Sequence, residues 1–226
     1  MADFKTQSKM SRLDFMAIVR PVLLGLIPKA TEIISTEGTG RVERALDCCS
    51  GIDALAVVRR GLDERTDLEG IASRIQYGST CFETFTLRLV KLGRPASWNT
   101  EFEKREWQLS HPSGIRAHWA SHAYLDEHGG RLLGVGVAPM GFLMDVASAR
   151  YKSALAHRPT LKTCILRMQP RQQIKVGELL IRRTGNACFL VIPWMDVPSV
   201  FVEGRPAAVR SEGDGQLSMV WRGTRP

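Results

Sequence analysis

Gly51-Ile52-Asp53-Ala54-Leu55 and, after a charged interval, Ile71-Ala72-Ser73-Arg74-Ile75-Gln76 are the two stretches that decide the fold. Ile52 to Val58 reads as a strand with a carboxylate at its mouth, Arg59 to Leu68 as a charged turn or hairpin loop, and Gly70 to Tyr77 as the next strand. Side chains alternate across a strand, so Ile71, Ser73 and Ile75 share one face while Ala72, Arg74 and Gln76 share the other. A carboxylate, a guanidinium and an amide on one sheet face are a poor recipe for a core. They are a reasonable recipe for a site.

Working outward, Phe82 to Val90 predicts a third strand with Phe85, Leu87 and Leu89 inward and Thr84, Thr86 and Arg88 outward. Before the first strand, Ala30, Ile33 and Ile34 suggest a short helix between Pro28 and Glu37. The apolar run from Phe15 to Ile27 fits an amphipathic helix broken near Pro21 and ended near Pro28. After Gly93-Arg94-Pro95, Thr100 with Glu103 forms a capping box for a helix reading Glu101 to Trp107. Ile115 to Leu125 and Arg131 to Ala138 read as strands, and Gly141 to Lys152 as a helix with Phe142, Val146 and Ala149 on its apolar side. Thr163 to Met168, Gly177 to Arg183 and the wholly apolar Cys188 to Pro193 are strand-like. The expected class is α/β (α+β), a mixed central sheet flanked by helices with a C-terminal β-rich extension. Its parts are an N-terminal helix (1–27), an α/β core (28–152), a basic extension packed on it (153–204) and a flexible tail (205–226).

Composition narrows the functional classes. In 226 residues, 44% hydrophobic content is enough to bury a core, which excludes wholesale disorder. No apolar run reaches the roughly eighteen residues a membrane span needs, and no small-residue cleavage site follows the first apolar stretch. Cys48, Cys49, Cys81, Cys164 and Cys188 show no metal-type spacing, so they read as free thiols of a reducing cytoplasm. The net charge of +8 is uneven. Arg150, Lys152, Arg158, Lys162, Arg167, Arg171, Lys175, Arg182 and Arg183 face a single acid, Glu178, within one segment that holds the whole excess. Such a concentration favours a polyanionic partner, nucleic acid before membrane; the bland alternative is a solvated surface.

The order helix, three strands, helix, two strands, helix, with Asp53 on one early strand and polar residues on the next, resembles the PD-(D/E)XK nuclease-like superfamily over roughly residues 30 to 150. The resemblance implies a restriction-endonuclease-like core in which two acids bind Mg²⁺ or Mn²⁺ and a Lys positions the attacking water. Asp53 matches the first acid. Gln76 stands where the Lys would be, and Arg74 where the second acid should be. An arginine cannot ligate a metal. Glu83 or Glu101 would then supply the missing oxygen and Lys104 the missing base, giving Asp53, Gln76, Glu101 and Lys104 as catalytic candidates and Asp53, Glu83 and Glu101 as metal candidates. Alternatively, no metal binds and Arg74, Gln76 and Arg88 recognise phosphate.

Each candidate has a plainer reading. Asp53 serves as a capping group, Asp53 and Arg74 pair to fix strand register, and Glu101, Glu103, Lys104 and Arg105 form a solvated helix face. His118 and His122 share a strand face but make a poor metal pair, and His111 is a loop residue without an identified partner. Trp98 and Trp107 flank the charged helix as base-stacking or rim residues. No Gly-x-Ser-x-Gly elbow or Walker loop is present, and Gly134-Val135-Gly136-Val137 is a strand with small residues. The expectation is a cytoplasmic nucleic-acid-processing protein of a bacterial or phage mobile element, possessing or having lost metal-dependent phosphodiester hydrolysis. Its partner is DNA, RNA or a nucleoprotein complex. A small-molecule or protein-binding module is the third class.

Overall fold

The computed structural model describes residues 10–36, 46, 51–60, 65–93, 101–111 and 116–203. The Cys48-Cys49 pair, the Thr100 cap, Trp98 and the tail beyond residue 203 lie outside these residues. The described chain is a mixed α/β structure with ten strands in two sheets.

Helical residues from 10 lead into a π-helical turn, Phe15–Val19, and then α1, Arg20–Leu26. Pro21 follows directly on the helical run from residue 10 and has no N–H to give to the ladder, and the chain passes through the π-helical turn just before it, with the Arg20 N–H bonded to the Phe15 carbonyl. Sheet A runs β1 (Ala30–Ser35), β2 (Ala54–Arg60), β3 (Arg65–Tyr77), β5 (Ala117–Leu125), β6 (Leu132–Pro139) and β10 (Val200–Glu203) in that spatial order. All its pairings are antiparallel except β3 with β5. Sheet B is antiparallel: β4 (Thr84–Lys91), β9 (Ala187–Pro193), β8 (Leu179–Thr184) and β7 (Gln173–Val176). The helices α2 (Glu101–Ser110), α3 (Met140–His157) and α4 (Leu161–Leu166) complete the fold.

Two apolar layers hold it together. One face of sheet A buries Ile33, Ala54, Ile71, Ala123 and Val135 against Phe15, Val19 and Leu23 of the N-terminal helices. The other buries Ala72, Ala120 and Tyr124 against sheet B, α2 and α3 through Phe85, Leu87, Leu190, Phe102 and Leu143. The 153–204 stretch supplies three strands of sheet B and the last strand of sheet A, so it is woven into both sheets.

Several elements differ from expectation, each for a tertiary reason. The 30–35 stretch is strand β1, not a helix. Lys29 turns the chain at φ +60, and pairing with β2 uses the β-branched run; only Ile33 is buried while Ile34 is exposed. The described residues of the charged 59–68 interval, 59–60 and 65–68, are strand, since the β2–β3 ladder continues past the core with Arg60 bridging Asp67 and Glu69. Phe85, Leu87 and Leu89 are inward as expected, yet β4 pairs with β9 because the edge of β3 is taken by β5. On α3 the buried stripe is Leu143, Ala147, Tyr151 and Ala154, leaving Phe142 exposed. Residues 163–166 of the 163–168 segment belong to α4, whose Leu161 and Ile165, one turn apart, fill the main core.

A polar node pins the first helix to sheet A. The Asp14 carboxylate accepts from Tyr77 Oη (2.7 Å) and the Gly129 N–H (3.0 Å), and it bridges His128 Nδ1 (2.7 Å). Burial raises the Asp14 pKa, but the bonds from His128, Tyr77 and Gly129 outweigh that and leave it below the usual carboxylate value. A depressed carboxylate contributes stability above its unfolded pKa and loses it as pH falls through the folded one. Asp14→Asn should therefore cost roughly 1–3 kcal/mol near neutrality in denaturant titrations, with the difference from the parent shrinking toward the acid limb.

Candidate anion-binding site

Three elements converge on one hollow. The entry to β2 brings Gly51 at φ +59 and Asp53, the middle of β3 brings Ser73 and Arg74, and α2 lays Glu101, Lys104 and Arg105 across the opening beside Arg88 of β4. Together they line a cavity of about 160 Å³. The three- and four-residue spacing along α2 puts Glu101, Lys104 and Arg105 on one side, while Phe102 is driven into the core.

Asp53 is held by backbone. Its N–H donates to the Ile71 carbonyl (2.9 Å), and its Oδ2 accepts from the Ser73 N–H (2.6 Å). Glu101 Oε2 accepts from Arg74 Nη2 (2.7 Å) and the Arg88 N–H (3.0 Å). Burial raises the Glu101 pKa, but Arg74, Arg105 and the Arg88 amide bring it below the usual carboxylate value, so the group is ionised. Arg74 also donates to Thr86 Oγ1 (3.0 Å) and lies over the Phe189 ring (4.8 Å). Arg105 is 2% exposed and donates to the Gly51 carbonyl (2.6 Å) and Gln108 Oε1 (2.9 Å). Its pKa is lowered chiefly by burial, with Glu101 and Asp53 opposing. Beneath Arg74, in cross-strand register with it, lies His122; burial and then the Arg74 charge push it down to about 3, so it adds no charge.

Asp53, Arg74, Arg88, Glu101 and Lys104 thus meet in one place. The partner of Arg74 is Glu101, so the expected Asp53–Arg74 register pair gives way to a strand–helix pair. Arg105, read from sequence as part of a solvated face, is a buried member of the site; its position four residues after Glu101 was the available signal. Gln76 lines a separate cleft of about 330 Å³ that it shares with Arg74 and Arg182. Glu83 is exposed at the start of β4, the opposite end from Arg88, and does not line the hollow. His118 Nδ1 accepts from the Gly70 N–H (3.0 Å), and His111 stacks on the exposed Trp107 (4.5 Å).

The expected basic segment divides. Arg150 bridges Glu178 and Asp196, and Arg183 bonds the Met168 and Gly185 carbonyls. Arg182 lies over Phe82 (5.2 Å) beside the larger cleft. Lys152, Arg158, Lys162, Arg167, Arg171 and Lys175 are exposed.

The donor set fits a divalent cation poorly. One oxygen of each carboxylate already accepts hydrogen bonds, and three guanidinium groups and an ammonium surround the two acids. Among the described residues no group of three or more His, Cys, Asp or Glu side chains is arranged to hold a metal ion. The charge balance instead suits an oxyanion, which fork-shaped guanidinium donors recognise well. Compared with protein-family models, curated proteins and solved structures, the chain matches none. No described helix is long and apolar enough to cross a membrane.

Proposed function

We propose that the protein binds the phosphate backbone of nucleic acid through the Asp53–Arg74–Glu101 hollow, and that it does so without metal-dependent cleavage. The observation that carries this reading is the charge count. Among the described residues, Arg74, Arg88, Lys104 and Arg105 line one concave opening together with two acids, Asp53 and Glu101, an excess of two positive charges. The two acids act as scaffolding. Asp53 ties β2 to β3, Glu101 fixes the Arg74 fork, and a phosphate oxygen accepts from the guanidinium and ammonium groups that line the opening. The six exposed cations of the 152–175 stretch supply a sequence-independent attraction for the rest of the chain of phosphates.

Arg88→Gln with Lys104→Gln should weaken binding of single-stranded oligonucleotides and lower the log–log salt slope by about 1–2, as expected for losing two phosphate contacts. Fluorescence anisotropy across a salt series measures both. An unchanged slope overturns the assignment of the hollow. Cleavage that requires Mg²⁺ or Mn²⁺ and disappears in Asp53→Ala would replace the binding reading with a nuclease one.

A further inference from the structure

On the far side of Arg74 from the phosphate hollow lies the 330 Å³ cleft between the end of β3 and the face of sheet B, lined by Arg74, Gln76, Thr86, Arg182, Thr184 and Phe189 among others. Its chemistry differs from that of its neighbour. Two guanidinium groups sit over aromatic rings here, Arg74 over Phe189 at 4.8 Å and Arg182 over Phe82 at 5.2 Å. Gln76 contributes an amide able both to donate and to accept, and Thr184 an exposed hydroxyl. The volume falls at the lower end of the ~300–1,000 Å³ found for small-ligand clefts. Flat cationic planes, an apolar floor and a two-way hydrogen-bonding amide match an unstacked nucleobase, with its π-faces and its mixed donor and acceptor edge.

The geometry points to this cleft as a base-binding subsite that takes the splayed base of the nucleotide whose phosphate occupies the adjoining hollow, with Arg74 as the shared wall. This rests on the phosphate reading above. Gln76 faces the base edge, and the Arg74 and Arg182 planes face its ring. A duplex keeps its bases stacked and paired, so the subsite selects single-stranded DNA or RNA.

The test compares single-stranded deoxy- and ribo-oligonucleotides with abasic strands of identical length and charge, and with duplex of the same sequence. The intact strand is expected to bind about tenfold more tightly than the abasic one for each base captured. Gln76→Ala, a mild substitution at a half-buried position, and Phe189→Leu should each shrink that ratio toward one, while Arg88→Gln should weaken intact and abasic strands alike. Equal affinity for intact and abasic strands overturns the base subsite and leaves the phosphate hollow standing. Failure of every strand to bind at low salt overturns the phosphate reading, and the subsite with it.

Discussion

Gly136→Ala is expected to lower the melting temperature by roughly 6–12 °C, the equivalent of about 3 kcal/mol in a protein of this size. A Cβ on Gly136 would meet three atoms of the Trp194 indole between 2.3 and 2.7 Å. Real Cβ contacts are never that short, so either the indole or the strand must move. The indole has nowhere to go. Trp194 is fully buried, with Phe85, Tyr124 and Phe201 rings at centroid distances of 6.2, 5.8 and 5.4 Å. Its backbone N–H is fixed by the Glu83 carbonyl at 2.8 Å, which ties β9 to the start of β4. The cost is therefore overpacking at the seam between the two sheets. Gly141→Ala is the control. It lies in α3 with open space around its would-be Cβ, and removing a helical glycine should be neutral or stabilising by up to about 1 kcal/mol. Thermal melts of both variants check the pair; a Gly136→Ala variant as stable as the parent would contradict the described packing of Trp194.

Glu101→Gln should act on stability and on binding in opposite directions. The carboxylate is 18% exposed and its Arg74 partner 30%, so the pair is partly shielded from water. Removing one charge leaves Arg74 and the buried Arg105 facing each other without it. Full burial would make that loss about 3–5 kcal/mol, and partial exposure brings it to about 2 kcal/mol. Because the Glu101 pKa lies below its ordinary value in the folded state, its contribution is complete above the unfolded pKa and disappears as pH falls through the folded one. Parent and variant should therefore converge in stability at low pH, which denaturant titrations at a series of pH values will show. Phosphate binding should instead tighten, by about fivefold, because the cation excess around the hollow rises by one while the fork donors remain. A metal site would behave in the opposite way, since loss of a carboxylate ligand abolishes metal-dependent activity. Glu101→Gln thus separates the two chemistries more cleanly than Asp53→Ala, which also removes the Ser73 N–H acceptor that joins β2 to β3.

The strand that follows Asp53 and the strand that carries Arg74 were legible because period-two alternation is a local property. Phe85, Leu87 and Leu89 announced a buried face, and it is buried. Two of the missed elements share a cause. Ala30, Ile33 and Ile34 have helical spacing, and the 163–168 run has strand-like composition, but each is short. In short segments the partner decides: β2 offers an open edge to the first, and the main core takes Leu161 and Ile165 of the second. The site was legible in part, because Asp53, Arg74, Arg88, Glu101 and Lys104 announced themselves as polar groups in structured segments. Arg105 did not, because burial of a guanidinium depends on the carbonyl and carboxylates that fold around it.

The sequence by itself determined the alternation that aims Arg74 and Gln76 to one face, the helical spacing that groups Glu101 with Lys104, and the cluster of positive charge between Arg150 and Arg183. Only the tertiary structure decided which charges neutralise each other. It gave Glu101 to Arg74, left Glu83 at the far end of β4, and set Gln76 in a different cleft from Asp53. It also gave the glycines of the Gly134-to-Val137 strand their reasons, the Cys81 sulfur close to Gly134 and the Trp194 indole pressed against Gly136. The physical distinction is one of range. Periodicity and capping act over a few residues along the chain, whereas ion pairing, desolvation and steric fit act across space between segments that the sequence keeps far apart.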